Sequence, residues 1–282
     1  MSTLREKRKK ERRALRRRKT ADWTVVLILC AIAVCCGGYL IYHHWSVKQR
    51  ELEYEKLRQE ETLSAATETV IAEPETEEST EETVIYCDPV YDFGQLHEQN
   101  EDIYAWIVVP GTQVDYPLLQ SGTDNYYLDY NLDHSKGYPG CIYTNQCNRK
   151  DFSDYNTVLY GHNMKNGSMF GSIHSFEDET FFDGHPYIYV YTGNERLTYE
   201  IYEAAKFTDV YIPSEYVISS KDDRDQFLAD VREKVSDNKL HVREDMEIGE
   251  EDRLITLSTC VSGERNHRYL VIGVLVEAAL YR

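Results

Sequence analysis

The sequence predicts a mainly β domain, either a closed barrel or a sandwich with a few short helices, preceded by a single membrane-spanning helix. Three observations support this class. The chain has 282 residues, of which 41% are hydrophobic and 12% aromatic, and this is enough for a packed core. Beyond residue 84, short runs rich in Val, Ile, Tyr and Thr are separated by turn residues, as in all-β folds. Near the start lies one uncharged apolar stretch of twenty residues.

The start of the chain is strongly basic. Residues 1–21 contain eleven Lys or Arg and two Glu, although the net charge of the whole chain is -18. Alone, such a run is typical of a nucleic-acid-binding arm. Here it precedes residues 23–42, whose uncharged length matches the hydrocarbon core of a bilayer, and basic residues beside a span stay in the cytoplasm. We therefore predict a cytoplasmic tail at 1–21, a transmembrane signal anchor at 22–43, an extracellular remainder and no nucleic-acid partner.

A cleaved signal peptide is the alternative interpretation of the same segment. The apolar run is longer than the usual hydrophobic region of such a peptide, and no A-x-A cleavage site closes it. The transmembrane interpretation is therefore favoured, and both interpretations export the C-terminal domain.

Residues 44–83 predict a charged stalk. Residues 46–63 mix charges at helical spacing, which indicates a short solvated helix. Residues 64–83 consist largely of Thr, Glu, Ala and Pro, and such a composition cannot bury enough apolar surface to offset the entropy of ordering. We therefore expect a disordered linker there, and a folded domain over 84–282.

The elements of this domain follow in order. YDFGQLHEQNED predicts a short helix, and PGTQ is a turn between the strand-like runs IYAWIVV and VDYPLL. Further helical signal is confined to one or two turns at 169–176 and to residues 220–236, where a capping Ser precedes acidic residues and apolar residues at helical spacing. Further strands are predicted at 140–144, 156–161, 186–192, 196–207, 253–259 and 268–281.

The strand RLITLSTC ends on a cysteine, Cys260, which is either a small core residue or a nucleophile. A nucleophilic Cys needs a partner that exchanges a proton near neutral pH, and His has the suitable chemistry. His162 is favoured, because a glycine turn presents it directly after the strand NTVLYG, at a strand end like that of Cys260. The candidates outside the membrane region are His97, His134, His162, His174, His185, His241 and His267.

Attack of a thiolate on a carbonyl builds negative charge on oxygen, which a fixed cation stabilises. Arg268 opens the strand RYLVIGVLV, which we expect to pair with RLITLST, so that its guanidinium emerges near Cys260. Arg265 is the alternate and lies in the predicted connecting loop. Cys141 and Cys147 are close in sequence, but their spacing predicts neither a disulfide nor a zinc site.

Together, TLSTC, an arginine eight residues later and YGHNM about a hundred residues upstream resemble a sortase, the cysteine transpeptidases of Gram-positive cell surfaces. The helix SKDDRDQFLADVREKVS, with DIYAWIVVPGTQVDYPLLQ and LYGHNMKNGSMF, is most similar to class B. The resemblance implies an eight-stranded barrel. It also implies that Cys260 is the nucleophile, His162 the general acid and base and Arg268 the catalytic arginine, and that Tyr160 and Ser258 line the substrate groove.

The resemblance further implies a membrane-anchored enzyme that cleaves a C-terminal sorting signal of secreted proteins after Thr. A thioester would then pass the protein to an amine of peptidoglycan or its lipid-linked precursor. No cofactor or metal is expected, and no Ca²⁺ loop of the D-x-D-x-D-G type occurs. The alternatives are a pilus-type polymerising enzyme, a simple thiol hydrolase and, in a different class, a surface binding module whose Cys260 is merely buried.

Overall fold

A computed structural model describes residues 2–62, 85–234 and 240–282. The chain divides into two compact units, Met1–Glu53 and Tyr54–Arg282. The first unit is formed by helix α1 (Ser2–Thr62), which ends within the second. Trp23–Gln59 of α1 contains an 18-residue window that is apolar enough to cross a membrane. The structure therefore has a helix where the sequence predicts a membrane-spanning segment.

Within the described residues, one sheet contains ten strands. They are β1 (Ile85–Cys87), β2 (Ile103–Val108), β3 (Asp115–Leu119), β4 (Ile142–Tyr143), β5 (Asn156–Tyr160), β6 (Tyr187–Tyr191), β7 (Glu195–Thr208), β8 (His241–Val242), β9 (Leu254–Val261) and β10 (Glu264–Tyr281). Their order is β1-β10-β9-β5-β4-β3-β2-β6-β7-β8, and β10 also pairs with β7. This last pairing closes eight strands into a barrel, with β1 and β8 added outside the ring, so the predicted eight-stranded barrel is confirmed.

The helices that follow α1 in the described residues are short, as predicted, and lie between strands. They are α2 (Phe93–Gln99), α3 (Tyr126–Asp129), α4 (Glu179–Gly184), α5 (Ile212–Glu215) and α6 (Lys221–Lys234), with a 3-10 helix at Gly171–Glu177. Helix α2 begins where the Asp92 carboxylate accepts hydrogen bonds from the backbone N–H groups of Gly94 and Gln95. The helix predicted at 220–236 is α6, and residues 235–239 lie outside the described part.

Buried apolar side chains form two clusters. The larger includes Trp106, Tyr199 and Tyr269, and the other packs α6 against the sheet through Phe227 and Phe207. Because β9 contributes residues to both clusters, each of its faces is buried from Leu254 to Thr259. Burial on both faces makes β9 a rigid support for the two residues at its end, Cys260 and Val261.

The last turns of α1 belong to the second unit. Tyr54 is 5% and Leu57 2% exposed, and both pack in the larger core cluster. The prediction of a solvated helix is therefore wrong at these two positions, because Tyr54 and Leu57 lie on one face that the sheet domain covers. The predicted disordered linker at 64–83 lies outside the described residues, and the domain boundary at 84 stays a prediction.

Candidate active site

Three adjacent strands bring the predicted residues together. β5 runs parallel to β9 with Tyr160 opposite Ser258, so His162 and Cys260 each lie two residues beyond a paired position. β9 and β10 are antiparallel, and Cys260 lies directly opposite Arg268. Neighbouring strands are about 5 Å apart, so the end of β5 that leads to His162 lies beside the end of β9 that carries Cys260, with Arg268 on the next strand at the same end of the barrel.

Cys260 is exposed, whereas the six residues of β9 before it are all buried. The side chain reaches solvent because Cys260 lies where the strand leaves the packed sheet. The interpretation of Cys260 as a buried core residue is therefore wrong. Elsewhere in the domain Cys141 is buried and Cys147 exposed, and the two are not joined by a disulfide.

The ring of His162 is oriented by a backbone carbonyl. Its Nε2 lies 2.7 Å from the carbonyl oxygen of Leu128, and its ring centroid is 4.9 Å from that of Tyr138. Since a carbonyl oxygen only accepts, Nε2 carries the hydrogen of this bond. In the neutral ring Nδ1 is then the nitrogen that can take up a proton.

Both candidate arginines line a cavity of about 340 Å³ beside Cys260. Arg268 is half-buried, and its guanidinium donates to the backbone carbonyl oxygens of His267 (2.9 Å) and Arg265 (3.4 Å). Arg265 is exposed and lies within β10, not in a loop as predicted, because the turn between β9 and β10 is very tight and Gly263 takes a φ of +82° there. The cavity is lined by Cys260, Val261, Gly263, Glu264, Arg265 and Arg268.

Sequence reasoning missed a second hydrogen-bonded group behind the cysteine. The Asn163 side-chain amide donates to the carbonyl oxygen of Cys260 at 2.8 Å and lies 3.0 Å from His174 Nε2. His174 Nδ1 lies 2.8 Å from Glu177 Oε1, and its ring stacks on Tyr269. His174 Nε2 also lies 3.1 Å from the Cys260 carbonyl oxygen, so the side chains of Asn163 and His174 both contact the backbone of Cys260. The position of Asn163 directly after His162 was the available signal.

The two predicted groove residues differ in exposure. Tyr160 is half-buried between the rings of Tyr143 and Tyr211, at centroid distances of 5.6 and 6.2 Å. Burial raises the pKa values of these tyrosines, to about 12 for Tyr211, so their hydroxyls stay neutral. Ser258 is only 4% exposed and lies opposite Tyr160 and Leu270. The aromatic cluster joins residues distant in sequence, which no local pattern indicates.

The Sortase domain family model matches residues 107–276, more than half of the chain, and this span contains His162, Cys260 and Arg268. The chain belongs to the sortase family. Sortases are cysteine transpeptidases, and the exposed cysteine at the end of β9 agrees with that chemistry.

Similar sortases are of class B, which confirms the predicted resemblance. Sortase B of Listeria monocytogenes is 33% identical over 165 residues, which are 58% of this chain and 65% of that protein. The structure of the Staphylococcus aureus sortase B-substrate complex is 27% identical with a TM-score of 0.63, and the match covers 82% of this chain and 97% of that one. A Streptococcus pyogenes class B sortase involved in pilus biogenesis is 26% identical with a TM-score of 0.56, covering 65% and 97% of the two chains.

Proposed function

We propose that this sortase is a membrane-anchored transpeptidase that cleaves a C-terminal sorting signal after Thr and joins the protein to a cell-wall amine. The proposal rests on the register of β5 and β9, in which His162 and an exposed Cys260 lie beyond the paired Tyr160 and Ser258. A thiol and an imidazole held on neighbouring strands are the minimum required for acyl transfer through a thioester.

In the first step the Cys260 thiolate attacks the carbonyl carbon of Thr in the sorting signal. The tetrahedral intermediate collapses as the C–N bond breaks, and His162 in its protonated form gives a proton to the leaving amine. The product is a thioester between Cys260 and the Thr carbonyl, with a neutral His162. The hydrogen bond from Nε2 to the Leu128 carbonyl oxygen is kept, so Nδ1 is the nitrogen that gives up and takes up the proton.

In the second step an acceptor amine attacks the thioester carbonyl. His162 takes the proton from the attacking nitrogen, the C–S bond breaks and the Cys260 thiolate is restored. Splitting one displacement into two easier ones preserves the acyl bond energy, provided that the amine reaches the thioester before water does.

Arg268 is the proposed stabiliser of negative charge on the carbonyl oxygen or of the sorting-signal backbone. It lies opposite Cys260 in the β9–β10 pair, and two backbone carbonyls hold its guanidinium beside the cavity. A fixed cation costs no reorganisation when charge develops, which is the main source of such catalysis. In this proposal the half-buried Tyr160 contacts the substrate, and Ser258, only 4% exposed, lines the groove from within the sheet.

The proposed location follows from charge. Helix α1 carries the basic residues 1–21 before its apolar part, so the N-terminus would be cytoplasmic and the catalytic unit extracellular. The substrates would be secreted proteins with a sorting signal, and the acceptor an amine of peptidoglycan or its lipid-linked precursor.

Pilus-type polymerisation is a second candidate, because the similar Streptococcus pyogenes enzyme is involved in pilus biogenesis. In that case a lysine of another protein subunit is the acceptor. The two functions share the thioester and differ only in the second step.

The test uses the purified full-length chain with fluorogenic peptides that carry LPxTG, NPxTN-like or SPxTG-like cores. Each peptide is incubated with and without a glycine-rich amine or a lysine peptide, beside the variants Cys260→Ala and His162→Ala. Joining of the glycine amine, lost in both variants, supports the proposed function, and joining of lysine alone supports polymerisation. Cleavage without any joining identifies a hydrolase. Activity that survives in Cys260→Ala contradicts the proposed function.

A further inference from the structure

The end of α1 contacts the loop 127–141, and in this loop the Leu128 carbonyl is hydrogen-bonded to His162. The Tyr54 hydroxyl lies 3.2 Å from the carbonyl oxygen of Gly140 and 3.4 Å from Cys141 Sγ, both buried contacts. The Tyr54 ring also packs edge-on against Tyr116 at 5.1 Å. An aromatic side chain 5% exposed with a bonded hydroxyl is fixed in position.

Neighbouring contacts fix this turn of α1 as well. Arg58 Nε donates to the backbone carbonyl of Asp115 at 2.8 Å, and its guanidinium lies 4.7 Å from the centroid of Tyr116. Leu57 is 2% exposed. Three residues within about one turn therefore attach the helix to the barrel, and Tyr54 is the one that reaches the loop 127–141.

Gly140 connects Tyr54 to the histidine. It has a φ of +68°, and a side chain there would meet the carbonyl oxygens of Tyr127 at 2.6 Å and Leu128 at 2.9 Å. The backbone of Gly140 is thus packed directly against the carbonyl of Leu128. The N–H of Cys141 donates to the carbonyl of Tyr127 at 2.9 Å and keeps the two segments together.

The other side of the Leu128 carbonyl receives the hydrogen bond from His162 Nε2 at 2.7 Å. The same loop carries Tyr138, whose ring contacts the histidine. A chain of contacts therefore runs from the Tyr54 hydroxyl through Gly140 and the Leu128 carbonyl to the imidazole. Displacement of Gly140 would move the carbonyl that sets the ring orientation.

We propose that Tyr54 is a positioning residue for His162, acting through Gly140 and the Leu128 carbonyl, so that the end of α1 is part of the catalytic unit. The inference rests on the proposed role of His162 as general acid and base. It predicts an effect on the rate of the chemical step, because among the described residues Tyr54 does not line the cavity beside Cys260.

The test compares two tyrosine-to-phenylalanine variants of the full-length chain in the peptide assay, below the Tm of each. Tyr54→Phe keeps the ring and removes the hydroxyl, and we expect kcat to fall about fivefold with KM unchanged within about twofold, the usual effect of one lost hydrogen bond. Tyr104→Phe is the matched control. Tyr104 lies on β2, and its hydroxyl is hydrogen-bonded to Thr144 Oγ1 at 2.9 Å. We expect this variant to lower the Tm similarly and leave kcat unchanged.

A third variant acts on the connection directly. Gly140→Ala would push a methyl group against the Leu128 carbonyl, and its kcat should fall further than that of Tyr54→Phe. An unchanged kcat in Tyr54→Phe overturns the inference, and so does an equal loss in Tyr104→Phe, because stability alone would then explain both. Cys260→Ala and His162→Ala are assayed in parallel. If they stay active, the proposed function fails and the inference fails with it, whereas inactive Cys260 and His162 variants beside an unaffected Tyr54→Phe refute the inference alone.

Discussion

The side-chain amide of Asn163 donates a hydrogen bond to the backbone carbonyl of Cys260 at 2.8 Å. Asn163 follows His162 directly, so this amide joins the end of β5 to the end of β9, together with the Thr259 hydroxyl, which donates to the Gly161 carbonyl at 2.8 Å. The relative position of the proposed nucleophile and the proposed acid and base thus depends on this bond as well as on the strand register.

We predict that Asn163→Asp lowers kcat/KM about tenfold, because a carboxylate of the same shape cannot donate and places negative charge beside the Cys260 carbonyl. The measurement is kcat/KM with the cleaved peptide. Asn166→Asp in the same loop is the control, since Asn166 Oδ1 accepts from the Ser168 N–H and hydroxyl, and a carboxylate accepts equally well. A similar loss in both variants would show that charge in the loop, and not the lost donor, is responsible.

The two candidate arginines are separable by mutation. Arg268 is half-buried opposite Cys260, and Arg265 is exposed nearer the turn. We predict that Arg268→Ala lowers kcat by roughly a hundredfold, as loss of an oxyanion donor does, and that Arg265→Ala changes it less than about twofold. Arg268→Lys should recover only part of the rate, because an ammonium lacks the planar fork of donors. A large loss in Arg265→Ala with an active Arg268→Ala would reverse the assignment.

The orientation of α1 is testable in a bacterial host with fusions to alkaline phosphatase, which is active only when exported. We predict high activity for a fusion after Arg282 and no activity when the phosphatase is placed before Met1, because the eleven basic residues before the apolar stretch stay cytoplasmic. The control replaces the basic residues of 1–21 by Gln, which should weaken the preference. Equal activity of the first two fusions would contradict the predicted topology.

The main features of the site could be predicted from the sequence, because the candidate catalytic residues lie at strand ends. Cys260 and His162 each follow a strand of β-branched and apolar residues, and such strands are identified by composition. Strands β1 and β8 were not predicted, because their three and two residues lie in no longer run with the alternation typical of a strand.

The supporting contacts could not be predicted, because they join segments far apart in the chain. Tyr54 and Gly140 are 86 positions apart, and Asn163 and Cys260 are 97 apart. In the sequence, Tyr54 lies in a charged helical stretch with no sign of a partner, and His174 is one of seven similar candidates. Only the folded loops bring these side chains to the backbone groups that they hold.

A buried carboxyl group lies away from the site, under α6. Glu203 on β7 is 0% exposed, and Arg232 of α6 is 3.6 Å from its Oε2. Burial raises the pKa of Glu203 to about 7, against the lowering effect of Arg232, while Glu244 adds to the rise. The carboxyl group is therefore largely protonated in the folded protein below neutral pH.

This shift makes the stability of the barrel depend on pH. Between the usual Glu pKa of 4.5 and about 7, the unfolded chain loses the proton of Glu203 while the folded chain keeps it, so the free energy of unfolding falls as pH rises. Glu203→Gln cannot ionise, and from pH 5 to pH 8 we predict that it gains on the order of 1–3 kcal/mol relative to wild type. Urea unfolding at each pH measures this difference. Glu200→Gln on the same strand, whose carboxylate is partly exposed, should follow the wild-type profile, and a Glu203→Gln profile parallel to wild type would show that Glu203 is ionised when folded.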